Sequence, residues 1–351
     1  MTLGIASRSH DYEVIASDNF AAAVVAATTH SHVAVLVDGH FADHPALGAL
    51  RDRGAVRVIV ADEEAKSFGA LEPHFTWLSE RGFRRDHTLV AIGGGVVQDI
   101  SCFIASTFLR GIRWGLIPTT LLAQCDSCIG SKSSINLGRF KNQLGTYYPP
   151  HTIWMTHDVL ETLPLDELRS GMGEAIKLHL LDGEASFRRL QSQLQRFGQA
   201  DFPMREVVWA CLAMKKPFIE QDEFDRGRRN LLNYGHTFGH AFEAVTCHAI
   251  PHGIAVTMGM IAATFVSWRL GLVDEPHFRA VQEALLPFCA PYDTKLCGRD
   301  ADVVVEAMKH DKKNDSASVT CILSRGFGQM EKYRLEPEIL KGYLAEFFDF
   351  T

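Results

Sequence analysis

Three short apolar runs in the first third of the chain, the first two rich in valine, constrain the fold most. They are HVAVLVD (His32–Asp38), VRVIVAD (Val56–Asp62) and TLVAIGGG (Thr88–Gly95). Each is short and bounded by glycine, proline or polar residues, which suits strands buried on both faces. GIRWGLIPTT and TIWMT continue the series, and stretches of helical character (Asn19–Thr29 and Gly69–Arg81) lie between the runs. Strands separated by helices predict βαβ units and a parallel sheet. Such sheets take ligands beyond the carboxyl ends of their strands.

The texture changes at the Leu163–Pro164 break. ELRSGMGEAIKLHLL, REVVWACLAMKKPFIEQ, NLLNYGHTFGHAFEAV and GIAVTMGMIAATFVSWRL all read as helices, as do Glu275–Leu286 and Pro337–Phe347. One β-like run, SVTCIL, interrupts them near Cys321. The expected organisation is an α/β domain over residues 1–164 and a mostly helical domain over 165–351. At 351 residues the chain exceeds what one core ordinarily fills.

Charge and composition exclude some functions. The formal net charge of −7 opposes nucleic-acid binding. No apolar run reaches membrane-spanning length. The opening MTLGIASRSHDYEV lacks a basic segment followed by an apolar one, which predicts no export and a cytoplasmic protein. Cys125 and Cys128 form one CxxC without a second pair, so the thiols are expected to be reduced and no zinc ribbon is expected.

Four clusters carry chemistry. Gly93-Gly94-Gly95 ends a strand ahead of a helix expected to begin near Asp99. Most glycine triplets are only tight turns, but strand–glycine–helix suits backbone N–H groups approaching a pyrophosphate. It is not GxGxxG. Asp38 closes an earlier strand, where it either bonds a ribose or simply ends the strand before Gly39. NYGHTFGH (Asn233–His240) reads as one helix with His236 and His240 on one face, His252 follows Pro251, and Glu174 lies on a separate helix. Two or three histidines plus a carboxylate suit a divalent metal, and spacing alone selects His236 and His240. The bland alternative is strong, since the chain has 16 histidines. Asp126, Lys132, Lys141 and Asn142 crowd the glycine-punctuated QCDSCIGSKSSINLGRFKNQLGTYYPP, either a phosphate-binding segment or a solvated loop. Arg110, Lys177, Lys215, Arg229 and Lys312 are ambiguous taken singly.

Taken together, EEAK, GGGVVQD, FLRG, IPTTLLAQCDSCIGSK, KNQLGTYYPP, TLPLDELRSGMGEAIK, RNLLNYGHTFGHA, PHGIAV and DKK closely resemble the 3-dehydroquinate synthases and the wider sugar-phosphate cyclases, from about Glu63 to Lys313. The resemblance implies an N-terminal Rossmann-like domain holding NAD and a helical C-terminal domain holding a divalent metal, Zn2+ or Co2+. It implies metal ligands Glu174, His236 and His252, with His240 on the substrate side, against the spacing-only choice. It implies NAD contacts from Asp38, Glu63, Lys66, Gly94, Gly95, Val96, Asp99, Thr119, Thr120, Asp126 and Thr162. Catalytic roles would fall to Arg110, Lys132, Lys177, Asn233 and His240, and substrate contacts to Asp126, Lys141, Asn142, Lys215, Arg229 and Lys312. The implied partner is a small phosphorylated sugar, and a homodimer is the expected assembly.

The chemistry so implied is oxidation of a ring carbinol by NAD+, β-elimination of phosphate, return of the hydride, ring opening and intramolecular aldol closure. Clustered Lys, Arg and His would bind the anion within a net-acidic chain. Some residues depart from the synthase pattern. Gln98 and Ser131 stand where glycines are usual, Ile254 replaces the Glu of HGEAV, INLGRFKN differs from NHPxGKN, and the N-terminal strand region looks shortened. These departures leave related cyclases acting on sedoheptulose 7-phosphate or glucose 6-phosphate as the alternative to 3-deoxy-arabino-heptulosonate 7-phosphate. A polyol dehydrogenase of the glycerol dehydrogenase type shares the glycine triplet, but needs no phosphate-binding cluster.

Overall fold

The computed structural model describes residues 1–30, 32–138, 140–290, 292, 300–309 and 318–350. It comprises two compact units, residues 1–163 with 215–224, and residues 164–214 with 225–351.

The first unit is built on seven strands: β1 (Thr2–Ile5), β2 (Tyr12–Ala16), β3 (Val33–Asp38), β4 (Val56–Ile59), β5 (Thr88–Gly93), β6 (Arg113–Pro118) and, after a separate hairpin of β7 (Lys132–Leu137) and β8 (Phe140–Tyr147), β9 (Thr152–Met155). They are ordered β1-β2-β9-β6-β5-β3-β4. All pairings are parallel except β1 with β2. Every residue of β5 is buried, as are the central four of β3 and the last five of β6. That is why their sequences run as unbroken apolar stretches rather than alternating. The crossover helices include α1 (Phe20–Ala27), α2 (Gly48–Asp52), α3 (Phe68–Glu80) and α4 (Gly95–Thr107). Helix α1 is capped by Asn19, whose side chain accepts from the Ala22 N–H.

Three expectations change here. VRVIVAD, read as buried on both faces, forms the edge strand β4, where only Ile59 is buried and Val58 is 48% exposed. Helix α4 begins at Gly95, a full turn before Asp99, with Gly94 as its extended N-cap residue. Burial of Val97, Ile100 and Ile104 outweighs the poor helix propensity of glycine. The stretch after Asp126 is not an irregular loop. A π-helical turn over Ala123–Ser127 leads into the antiparallel β7–β8 hairpin.

The second unit is mostly helical: α5 (Leu165–Asp182), α6 (Glu184–Leu194), the first part of α7 (Met204–Gln221), α8 (His236–Val245), α9 (His252–Arg269), α10 (Glu275–Cys289), α11 (Ala301–Lys309) and α12 (Pro337–Phe350). SVTCIL forms most of β10 (Val319–Ser324), which pairs with β11 (Met330–Leu335), a partner strand the sequence reading did not anticipate. Helix α9 is buried without interruption from Gly253 to Ser267, as befits a central helix that is apolar all round. No described helix is long and apolar enough to cross a membrane.

Helices α5, α8 and α9 meet almost backbone to backbone. A Cβ on Gly253 would fall on the Ser170 carbonyl oxygen, and one on Gly259 on that of Gly235, both far inside van der Waals contact. Gly259→Ala is therefore expected to destabilise the chain by about 1–3 kcal/mol through overpacking. Thermal unfolding reads this directly, and an unchanged midpoint would refute the close-packing argument.

Candidate active site

In the second unit these close approaches bring together three residues distant in sequence. Glu174 lies mid-way along α5, His236 opens α8 and His252 opens α9. Donor atoms of the three lie within 4.8 Å of one another. Glu174 is 1% exposed, and so is Lys177, one helical turn on, whose ammonium pairs with Glu174 Oε2. His236 Nε2 stands 3.6 Å from Glu174 Oε1. The other ring nitrogen, His236 Nδ1, is 3.3 Å from the Tyr234 carbonyl oxygen, and His252 Nδ1 is 3.1 Å from Glu243 Oε2. Carbonyl and carboxylate oxygens only accept, which assigns the proton of each neutral ring to Nδ1 and leaves the Nε2 lone pair as the donor. One carboxylate and two imidazoles are a donor set suited to zinc or cobalt, with coordination left over for a substrate oxygen.

Burial, the largest influence on His252, acts to lower its pKa. The hydrogen bond and charge of Glu243, with the charge of Glu174, outweigh it and hold the imidazole above its ordinary value. The converse holds at Glu243. Burial would raise that carboxyl, but His252, His240 and His248 hold it low.

The single helix expected across Asn233–His240 is two elements. Asn233 ends a 3₁₀ turn over Arg228–Asn233, and Gly235 takes the left-handed region (φ 81°) before α8 starts. The break turns Asn233 away from helical register with His236, and its amide donates to the Asn230 carbonyl. Arg229 on the same turn is buried. His240 is exposed, its ring 5.5 Å from that of His236 and 5.8 Å from that of His252. Lys312 lies outside the described residues.

In the first unit, Lys66, Asp99, Asn142 and Glu63 form one network. Lys66 Nζ is 2.9 Å from Asp99 Oδ2, 3.1 Å from Asn142 Oδ1 and 3.8 Å from Glu63 Oε1. Ser134 donates to Asp99 from both its N–H and its hydroxyl, and Asn136 donates to Glu63 and accepts from the Asn142 N–H. The sequence reading missed Ser134 and Asn136, because their part depends on the β7–β8 register. Burial pushes the Asp99 carboxyl up despite the Lys66 ammonium beside it.

Gly94 lies against Thr120, which follows β6, and the Thr119 N–H donates to the Gly93 carbonyl. Thr120 Oγ1 accepts from the Ala123 N–H, opening the turn that carries Asp126. Gly95 and Val96 form the first turn of α4. Asp38 caps the turn after β3 by accepting from the His40 N–H, and the Thr162 hydroxyl donates to the Val159 carbonyl. Lys215 is buried, with its ammonium 2.6 Å from Asp126 Oδ1, 3.1 Å from the Ile129 carbonyl and bonded also to the Asp126 carbonyl. Arg110, Lys132 and Lys141 are exposed.

Two of the departures from the synthase pattern have local explanations. The Gln98 side chain donates to the Ser127 carbonyl at 2.6 Å and accepts from its hydroxyl at 2.8 Å, tying α4 to the Asp126 turn. Ser131 adopts φ 59°, a conformation glycine takes without strain. Cys125 and Cys128 are buried free thiols, and burial pushes Cys128 up to about 12.

Comparison with known proteins bears on both units. The model for the 3-dehydroquinate synthase N-terminal domain matches residues 56–170, and that for the C-terminal domain matches residues 171–314. The 3-dehydroquinate synthase of Rhodospirillum rubrum is 39% identical over 285 residues, 79% of this chain and 74% of that protein. The chain belongs to the 3-dehydroquinate synthase family. Two solved structures of that fold superpose over 99% of both chains. One is 2-epi-5-epi-valiolone synthase from Streptomyces hygroscopicus subsp. jinggangensis with NAD+ and Zn2+ bound (TM-score 0.86, 24% identity). The other is 2-deoxy-scyllo-inosose synthase complexed with carbaglucose-6-phosphate, NAD+ and Co2+ (TM-score 0.83, 22% identity). Membership of the 3-dehydroquinate synthase family makes this chain an enzyme of the lyase-type cyclase class.

Proposed function

We propose that this enzyme is an NAD- and divalent-metal-dependent sugar-phosphate cyclase that converts 3-deoxy-arabino-heptulosonate 7-phosphate to 3-dehydroquinate. The observation that carries the reading is the convergence of Glu174, His236 and His252 within 4.8 Å in a chain that keeps the synthase pattern on both sides of its domain break. The fit to a metal rests on the donor set and on the two rings whose Nδ1 atoms are already engaged. When bound, NAD supplies reversible hydride acceptance, and a Zn2+ or Co2+ ion supplies Lewis acidity toward a hydroxyl or carbonyl oxygen.

The chain's own residues divide the remaining work. Glu174, His236 and His252 hold the ion. Lys177, paired with Glu174 beside the ion site, is the cation this reading assigns to substrate oxygens. Arg229 offers a planar fork matched to a carboxylate, and Asn233, on the same turn, is assigned to hydroxyl groups. His240, exposed next to the ligand histidines, is placed to pass a proton to solvent.

In the first unit the start of α4 at Gly94 and Gly95, with Val96, is suited to the pyrophosphate. Asp38, Glu63, Lys66, Asp99, Thr119, Thr120, Asp126 and Thr162 are the further dinucleotide contacts in this reading. Arg110, Lys132, Lys141, Asn142, Lys215 and Lys312 are assigned to the substrate and its phosphate. Elimination needs no strong protein base, because the departing phosphate can itself take the proton.

The test is release of inorganic phosphate from three sugar phosphates, with NAD and Zn2+ present and the carbocyclic product identified. The expected result is turnover of 3-deoxy-arabino-heptulosonate 7-phosphate well above that of sedoheptulose 7-phosphate and glucose 6-phosphate. Preference for either neutral substrate would move the enzyme to another branch of the cyclases, and no phosphate release from any would end the reading.

A further inference from the structure

Helix α8 carries more chemistry than the metal set uses. His236, His240 and Glu243 fall at i, i+4 and i+7, one stripe of the helix. Glu243 is largely buried, with its side chain 14% exposed, and its Oε2 lies 3.1 Å from His252 Nδ1. His236 Nδ1 instead faces a backbone carbonyl of its own chain segment, that of Tyr234. The two imidazoles are thus oriented differently, one by the main chain and one by a carboxylate reached across to the neighbouring helix.

We infer that Glu243 is a positioning residue for His252, accepting its Nδ1–H so that Nε2 is directed at the metal as a more basic ligand. The inference rests on the metal assignment proposed above. The physical argument is that a ligand imidazole rotates about two side-chain bonds unless its second nitrogen is held. A carboxylate there fixes both the tautomer and the ring plane and raises the electron density at Nε2. His252 needs this hold because it is the first residue of α9, with fewer helical neighbours than Glu174 in the middle of α5.

The same atoms suggest a competing role. His240, Glu243 and His252 also offer donors within 4.8 Å of one another. A second ion there, together with one on Glu174 and His236, would use both nitrogens of His252 and require an imidazolate ring that has lost its one N–H proton. A hydrogen bond from Nδ1–H to Glu243 requires nothing of the kind.

The experiment titrates metal-stripped enzyme with Zn2+ against a chromophoric chelator and records the visible spectrum of the Co2+ form. Glu243→Ala is expected to weaken Zn2+ binding by about 10- to 100-fold and to alter the Co2+ spectrum, at a stoichiometry of one ion per chain. Glu243→Gln, whose amide oxygen still accepts from Nδ1–H, is expected to recover most of the affinity, and it serves as the reading should the alanine variant not fold. His240→Ala is expected to bind Zn2+ as the parent does. Parent affinity in Glu243→Ala, while Glu174→Ala has lost binding, would overturn the positioning role alone. Parent affinity in Glu174→Ala would instead overturn the metal assignment beneath it. Two ions per chain, one of them lost in both Glu243→Ala and His240→Ala, would replace the inference with a second metal site.

Discussion

His236→Ala is expected to lose bound metal and turnover together. Removing one of three protein donors leaves Glu174 and His252, too few to hold a divalent ion tightly. The lost Lewis-acid stabilisation is on the order of 4 kcal/mol or more, about a 1000-fold fall in kcat/KM. Glu174→Ala should do the same, with a second consequence. The Lys177 ammonium, 1% exposed and paired with Glu174, would be left buried without its carboxylate. Truncating one partner of such a pair costs about 3–5 kcal/mol of stability. Compared with the parent stripped of metal, the two variants therefore separate by thermal unfolding: His236→Ala stays close to the parent, and Glu174→Ala melts well below it. Metal content by elemental analysis and phosphate release provide the functional reading. Full activity in a metal-depleted His236→Ala protein would contradict the role assigned to the ion.

Arg229→Ala is expected to act on substrate choice rather than on chemistry. Arg229 is buried on the turn that precedes α8, and its guanidinium is the residue assigned to a substrate carboxylate. A hydrogen-bonded charge pair of that kind is worth about 1.5–3 kcal/mol, so KM for a carboxylate-bearing substrate should rise about 10- to 150-fold. KM for a neutral sugar phosphate should change by less than about threefold, since it loses no such contact. Arg229→Lys keeps the charge but loses the fork, and should fall between the two. Equal increases for both substrates would remove Arg229 from carboxylate recognition.

The buried strands were legible because β3, β5 and β6 hide both faces, which leaves an unbroken apolar run in the sequence. The edge pair β1 and β2 and the strand β11 alternate or are short, and their signal is weaker; β11 reads M-E-K-Y-R-L with only its two end residues buried. The start of α4 was misplaced because a helix opening on glycine contradicts local propensity, and packing on the sheet decides it. Spacing alone paired His236 with His240, since i,i+4 geometry is local. The structural grouping of His236 with His252 depends on the close packing of α8 on α9, which no local pattern encodes. The resemblance to the synthases supplied that set, and the helix packing gives its physical cause. Glu243 went unread for a similar reason, because its partner is His252 on the next helix.

In the proposed reaction NAD is used and restored within one catalytic cycle. The most direct measurement follows NADH absorbance, inorganic phosphate and carbocyclic product together, with enzyme, Zn2+, NAD and 3-deoxy-arabino-heptulosonate 7-phosphate. The predicted result is one phosphate per carbocycle formed, many turnovers per NAD, and no net NADH. Steady NADH accumulation without phosphate release would contradict it and make the protein a simple dehydrogenase.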